Sequence, residues 1–167
     1  MCATHPKRLD DRDRRLIEEL YPSLRRFASA VRVPSEDGND LVQEALLRTI
    51  RTKGSLAGLE NPGSYLRRTI VNLVRDRQRS EARRLSAYSR LGPPSQVASH
   101  YSWELEELRL VSPKCRAVLY LRIIEGWPYA EIGEMLGCSQ ISARVAASRG
   151  KRQLEAVLLK EVRDATA

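Results

Sequence analysis

Arginine is the residue best placed to do chemistry in this chain. Seven arginines fall between Arg67 and Arg84 against two acids, Asp76 and Glu81, and Arg144, Arg149 and Arg152 form a second group. A guanidinium is planar and permanently charged, and its fork of N–H donors can grip a phosphate or lie bidentate against a guanine edge. Helical projection puts Arg68, Asn72, Arg75, Asp76 and Arg79 on one side of the first segment. In the second it gathers Ile141, Arg144, Val145, Ser148, Arg149 and Arg152 on a face without an acid, where Ile141 or Val145 could touch a thymine methyl. A third group, Asp40, Gln43, Glu44, Leu47 and Arg48, mixes charge with one apolar side chain, a surface suited to a partner helix. The plainer reading of each group is a solvated face of an ordinary helix.

Composition favours the first kind of reading. The 167 residues carry 29 Lys+Arg against 21 Asp+Glu, a net charge of +8. Such an excess points to a polyanionic partner, nucleic acid or an anionic membrane, with plain solubility charge as the alternative. The three cysteines, Cys2, Cys115 and Cys138, are too scattered for a disulfide framework. No CxxC occurs and His5 and His100 lie far apart, so neither a metal nor a cofactor is expected. Cys115 and Cys138 read as small buried hydrophobes, with a redox role as the alternative. There is no signal-like apolar region and no apolar run long enough to span a bilayer, so the expectation is a soluble, cytoplasmic chain without membrane insertion.

The elements that must position these residues are helices. A first helix is expected from about Asp11 to Val33, with Leu16, Leu20, Leu24, Phe27 and Val31 at helical spacing and Pro22 either kinking or splitting it. A break at 34–38 precedes a second helix from about Asp40 to Lys53, which carries Leu41, Ala45, Leu46 and Ile50. "TKGSLAGLENPG" reads as a loop. Asn61 is then an N-cap and Pro62 the first helical position of a third helix, with the stripe Leu66, Ile70, Leu73 and Val74, reaching about Arg84. "LSAYSRLGPPSQVASH" is linker-like, "SWELEELRLVSP" suggests a short acidic helix, and Ser112-Pro113 starts another that ends near Gly126.

"EIGEMLGCSQISARVAASRGKR" (Glu131–Arg152) has the outline of a helix, a tight turn at Gly137–Cys138, and a second helix capped by Ser139. That is a helix-turn-helix, whose second helix reads DNA bases, and a capped N-terminus offers N–H groups to a phosphate. Ala143, Ala147, Gly150 and Leu154 fall on the inner face, so those alanines are packing residues. Val145 falls on the DNA side and Ala146 on its flank. The expected architecture is all-α: two small helical domains, 1–88 and 101–162, joined by a flexible linker over 89–100. The C-terminal domain contains the helix-turn-helix, and a short tail over 163–167 is read as frayed.

"DLVQEALLRTIR" (Asp40–Arg51) followed by "NPGSYLRRTIVNLVRDRQRSEARR" (Asn61–Arg84) resembles the second conserved region of bacterial sigma factors, within the small extracytoplasmic-function group. "SPKCRAVLYLRIIEGWPYAEIGEMLGCS" (Ser112–Ser139) is similar to that group's fourth region. The two blocks stand in the expected order across a short linker. The resemblance implies a two-domain initiation factor that binds core RNA polymerase, at the β′ clamp and the β flap, and directs it to promoter DNA. The helix with Asp40, Gln43, Glu44, Leu47 and Arg48 would dock on the clamp helices. The helix with Arg68, Asn72, Arg75, Asp76 and Arg79 would melt and hold the downstream element, Asn72 and Asp76 matching the family's recurring Asn and Asp. The loop Thr52–Glu60, centred on Gly54, Ser55, Leu56, Ala57 and Gly58, matches the specificity loop that captures a flipped base. It holds no aromatic residue, and Tyr65, where the family often has Trp, is read as packing.

Ser139, Ile141, Arg144, Val145, Ser148, Arg149 and Arg152 would read the upstream element. Here the chain departs from the family, which commonly runs Gly, Thr, Val, Lys or Arg, Ser, Arg where this sequence has Ile141, Ser142, Ala143, Arg144, Val145 and Ala146. Its upstream preference should therefore be its own. An anti-sigma factor clamped between the domains is a further partner the resemblance allows. No nucleotide-binding loop, catalytic triad or paired-carboxylate site is evident, so the chain is not read as an enzyme. The alternatives are a stand-alone helix-turn-helix regulator and a helical adaptor that binds structured RNA through the Arg67–Arg84 helix.

Overall fold

Six helices follow one another in the computed structural model, which describes residues 10–32, 36–88 and 111–165. The linker read over 89–100, residues 102–110 of the stretch 102–113 read as an acidic helix, and Cys2, His5 and His100 lie outside the described residues. Helix α1 spans Asp11–Val31, with acids Asp11 and Asp13 in its first turn, where they complement the positive end of the helix dipole. Pro22 sits inside α1 without splitting it, and the helix stops two residues short of the expected Val33. Leu24, Phe27, Ala28 and Val31 form its buried stripe.

Helix α2 (Gly38–Lys53) starts two residues before the expected Asp40, because Asp37 caps it by accepting a 2.9 Å hydrogen bond from the Asn39 N–H. That bond holds the Asp37 carboxyl below its ordinary pKa. Leu41, Val42, Ala45, Leu46 and Thr49 face inward, and the left-handed Gly54 closes the C-terminus. Helix α3 (Pro62–Tyr88) begins as the Asn61-Pro62 pair implies: Asn61 Oδ1 accepts from the Ser64 N–H at 3.0 Å. It runs four residues past the expected Arg84, and its stripe Leu66, Ile70, Leu73 and Val74 closes a three-helix module with α1 and α2.

Helix α4 (Pro113–Ile123) is capped by Ser112, and α5 (Tyr129–Leu136) and α6 (Gln140–Ala165) complete the second module. α6 continues to Ala165, into the segment 163–167 read as a tail. Two backbone bonds terminate α5: Cys138 N–H to Gly133 O at 2.8 Å and Gly137 N–H to Glu134 O at 3.1 Å. This pairing, the Schellman motif, needs a left-handed residue between the helices, and Gly137 supplies it at φ 66°.

The modules pack against each other, α4 on α1 and α3, and α5 on α3, around one continuous core. Phe27 of α1 meets Tyr120 of α4 edge-on, ring centroids 5.7 Å apart. Arg116 of α4 is buried and donates from Nη1 to the Arg32 carbonyl at 2.8 Å. Arg67 of α3, also buried, reaches Glu125 at 3.1 Å and lies 5.2 Å from the Trp127 ring centroid. None of these three seams was visible in the helical patterns of the separate modules.

Candidate nucleic-acid interface

The outer face of α6 is built by what its inner face must do. Ala143, Ala147 and Gly150 are buried against α4 and α5, as the projection requires. Ala146, placed on the flank from sequence, is also buried at 7% exposure. The packed arc is thus wider than the inner four residues suggested, and Ala146 is core. What remains outward is Ile141, Arg144, Val145, Ser148, Arg149 and Arg152, every one exposed. Ser139 caps the helix, its Oγ accepting from the Ser142 N–H at 3.1 Å and donating to Ser142 Oγ at 3.0 Å.

Arg144 is held from behind. Its guanidinium carbon lies 5.6 Å from the ring centroid of Tyr129, the first residue of α5, and that of Arg122 lies 5.1 Å from the same ring. A cation over an aromatic face is attracted by the ring quadrupole. Helix α6 therefore carries one exposed arginine whose guanidinium is steered by the preceding helix.

On α3, Arg68, Asn72, Arg75, Asp76 and Arg79 are all exposed on one side. The face is not open along its whole length, because the second module stands opposite it. Arg68, Asn72 and Arg75 share a cleft of about 370 Å³ with Lys114, Leu136 and Gly137. Arg68 also lines a larger neighbouring cleft, about 760 Å³, in which Glu60, Glu131 and Glu134 place acids beside it. Tyr65 is half-buried, with the Lys53 ammonium 5.7 Å over its ring. It shares a groove with Arg48, Thr52 and Asn72, so it does more than fill the core.

The loop after α2 is pinned at two points. Leu56, nominated within it, is fully buried. Asp13 of α1, 3% exposed, accepts at Oδ1 from Ser55 Oγ (2.8 Å) and from the N–H groups of Leu56 and Ala57 (2.9 Å each). Gly54, Ala57 and Gly58 stay exposed. The expected loop began at Thr52, but Thr52 and Lys53 are helical, so the non-helical stretch starts at Gly54.

The α2 face is formed as its spacing implies. Asp40, Gln43, Glu44, Leu47 and Arg48 are exposed and line one groove of about 440 Å³. Glu44 is not merely solvated: Arg77 of α3 pairs with it and with Glu36, the latter at 2.7 Å.

Sequence reasoning missed Asp13, Arg67, Arg116 and Glu125. A signal existed for the first two, since each occupies a position within its helix's apolar stripe: Asp13 in phase with Leu16, Ile17 and Leu20, and Arg67 with Ile70 and Val74. A charged residue in such a place needs a partner from elsewhere in the fold.

Comparison with known proteins agrees with this geometry. Residues 16–84 match the family described as Sigma-70 region 2, and residues 105–154 match Sigma-70, region 4. The chain is 30% identical over 132 residues to the RNA polymerase sigma factor CarQ of Myxococcus xanthus, covering 71% of this chain and 73% of CarQ. The chain belongs to the sigma-70 family. Its place in the extracytoplasmic-function group is supported by 29% identity over 147 residues to the ECF RNA polymerase sigma factor EcfG of Rhodopseudomonas palustris (strain TIE-1), 82% of this chain and 80% of that one. The fold matches the sigma factor RpoE from Bartonella quintana, solved with the anti-sigma factor NepR, at a TM-score of 0.65 and 21% identity over 87% of this chain and 95% of that one.

As a sigma factor the chain is a transcription initiation factor that binds core RNA polymerase and promoter DNA, and the family acts without catalysing a reaction of its own. The two regions in order do not favour the stand-alone regulator. No helix among the described residues is long and apolar enough to cross a membrane.

Proposed function

We propose that this sigma factor divides initiation among three faces. The α2 face (Asp40, Gln43, Glu44, Leu47, Arg48) docks on the β′ clamp of core polymerase. The α3 face (Arg68, Asn72, Arg75, Asp76, Arg79) and the loop 54–58 melt and hold the downstream promoter element. The outer face of α6 reads the upstream element, and the second module also meets the β flap. The two domains of this reading are 1–88 and 101–162, joined by a linker over 89–100. The chain works in the cytoplasm, has no catalytic activity, and is open to restraint by an anti-sigma factor, as the RpoE relative was solved with one.

The observation that carries the division is the exposure pattern. On α2 and α3 the nominated residues are exposed while their stripe neighbours are buried, and the α6 face does the same on the other module. Exposed arginine is the electrostatic footprint of a phosphate-binding surface. The α6 face carries it without an acid, while on α3 Arg75 and Arg79 flank Asp76 and Arg68 has Glu60, Glu131 and Glu134 near it. The test is in vitro transcription with purified core polymerase on a linear promoter library. Promoter-dependent initiation and stoichiometric association with core are expected. A chain that binds duplex DNA tightly alone and neither binds core nor initiates would overturn the proposal.

A further inference from the structure

Asp13 lies far from every promoter-facing surface in sequence, yet it is the residue around which the loop 54–58 is wound. Its Oδ1 collects three donors from consecutive loop residues, Ser55, Leu56 and Ala57. Ser55 Oγ also accepts from the Ala57 N–H at 3.1 Å, so hydroxyl and carboxylate together close the turn. On the other side of the backbone, Leu56 is sunk completely into the core. The loop is therefore fixed at its base while its outward atoms stay clear: nothing lies within 4 Å of where a side chain on Gly58 would begin.

A buried carboxylate is costly to desolvate unless its bonds are made, and those to charged groups are the strong ones. Packing the apolar stripe of α1 would be met equally well by an apolar residue at this position. What a carboxylate does there, and an aliphatic chain does not, is dictate the path of the loop backbone. A site that holds a flipped base works through preorganised geometry, and small displacements of its supports are expensive.

We infer that Asp13 is the positioning residue of the specificity loop: by holding Ser55, Leu56 and Ala57 it sets which base of the downstream element the loop accepts. The inference rests on the loop reading given under Proposed function. It assigns Asp13 no contact with DNA; the residue acts through the loop.

The test scans all four bases at each downstream-element position by in vitro transcription with the full chain and core polymerase. Asp13→Asn, nearly isosteric, and Ser55→Ala, which removes one donor, are compared with Asp13→Ala and the unaltered chain. Asp13→Ala is expected to cut base discrimination by about tenfold or more at one downstream position, the scale of one lost directed contact. Asp13→Asn and Ser55→Ala should give intermediate losses, with core affinity and upstream-element preference unchanged. Amide exchange at Leu56 and Ala57 should quicken in the same order. Gly58→Arg, at the open tip, separates the two layers of argument. If it leaves downstream preference untouched, the loop does not read the promoter and the underlying reading fails. If it shifts preference while Asp13→Asn and Ser55→Ala keep full discrimination, the loop reads but Asp13 does not position it. A uniform loss at all positions, upstream included, marks a structural role only and also overturns the inference.

Discussion

Arg67 and Glu125 join the two modules: Nη2 of Arg67 lies 3.1 Å from both carboxylate oxygens of Glu125, fifty-eight residues later in the chain. The arginine side chain is 8% exposed and the glutamate 17%, so the pair is shielded from screening by water and salt. The same guanidinium lies 5.9 Å from the Phe27 ring centroid and 5.2 Å from that of Trp127. Removing one partner leaves a poorly solvated charge behind. Arg67→Ala should therefore cost about 3–5 kcal/mol, and Glu125→Gln less, because an amide still accepts the bond. Urea denaturation of both single variants and the double variant measures the coupling, expected at about 1–3 kcal/mol for residues in direct contact. Strict additivity would show that the pair holds nothing together.

Arg116 presents the opposite case, a buried cation that pairs with no carboxylate among the described residues. One N–H bonds the Arg32 carbonyl, while Nε and Nη2 have no hydrogen-bond partner among the described residues. Burial pulls its pKa down to about 10. Arg116→Met should be neutral or stabilising by about 1–4 kcal/mol at neutral pH, since it trades one hydrogen bond for relief of a desolvated charge. The pH dependence has a definite direction. As pH climbs through about 10 the folded chain gives up this proton while the unfolded chain still holds it. Stability owed to Arg116 therefore rises with pH above that point, and the advantage of Arg116→Met shrinks. Denaturant midpoints of both chains, at neutral pH and at about pH 11, compare the two directly. An advantage that grows with alkalinity would refute the assignment.

Most of the fold was legible because each helix announces itself locally. Leu24, Phe27 and Val31, or Leu66, Ile70 and Val74, are spaced for one buried stripe, and Asn61-Pro62 and Ser112-Pro113 mark starts by cap chemistry. The exposure of the three nominated faces was legible for the complementary reason, since they are what remains outward once the stripes are inward. The contacts between modules were not. Arg116 on the Arg32 carbonyl, or Arg67 on Glu125, joins residues whose proximity is fixed only when whole helices pack, and no periodicity encodes that; the same holds within the first module for Asp13 on Ser55. Ala146 was misplaced for a smaller reason: α6 packs on both α4 and α5, which buries a broader arc than a helix with one neighbour.

The turn between α5 and α6 should tolerate no side chain at Gly133. A methyl group there would come within 2.7 Å of the Cys138 carbonyl oxygen and 3.2 Å of the Gln140 nitrogen, both backbone atoms that cannot swing aside. Gly133→Ala is expected to cost about 1–3 kcal/mol, as overpacking does, and to tilt α6 relative to α5. Thermal melts followed by circular dichroism measure the first effect. Upstream-element binding by the still-folded variant below its midpoint measures the second. An unchanged melting temperature would mean the turn relaxes freely.

Arg144 and Arg149 should carry upstream discrimination, and Tyr129 should modulate only the first. Replacing either arginine with alanine is expected to cost about 1–3 kcal/mol if its contact to a guanine is bidentate. Tyr129→Leu keeps an apolar side chain but removes the aromatic face near the Arg144 guanidinium. It should cost about 0.5–1 kcal/mol in the Arg144 background and nothing once Arg144 is alanine. Competition binding of core–sigma complexes to upstream-element variants supplies the numbers. A Tyr129 effect that persists without Arg144 would place the ring's role elsewhere.

Core binding is best tested away from Glu44. That residue is paired with Arg77, which also holds Glu36, so Glu44→Lys would set two cations together and disturb the α2–α3 seam as well as the docking face. Asp40 and Leu47 are cleaner choices. Leu47 is 55% exposed in the centre of the α2 groove, an apolar side chain that gains nothing from water and is available to a partner. If it is a central anchor of the docked interface, Leu47→Ala should weaken core association by about 2 kcal/mol or more. Asp40→Lys, at the groove's edge, should act mainly on the association rate and lose its effect as salt is raised. Surface-capture kinetics with core polymerase at two salt concentrations distinguish the two signatures. Leu47→Ala should leave the stability of the free chain nearly unchanged, because the side chain is exposed. Asp40→Lys reverses a first-turn charge on α2 and should cost about 0.3–1 kcal/mol, to be subtracted from its effect on binding. Wild-type core affinity in Leu47→Ala would move the docking site off α2.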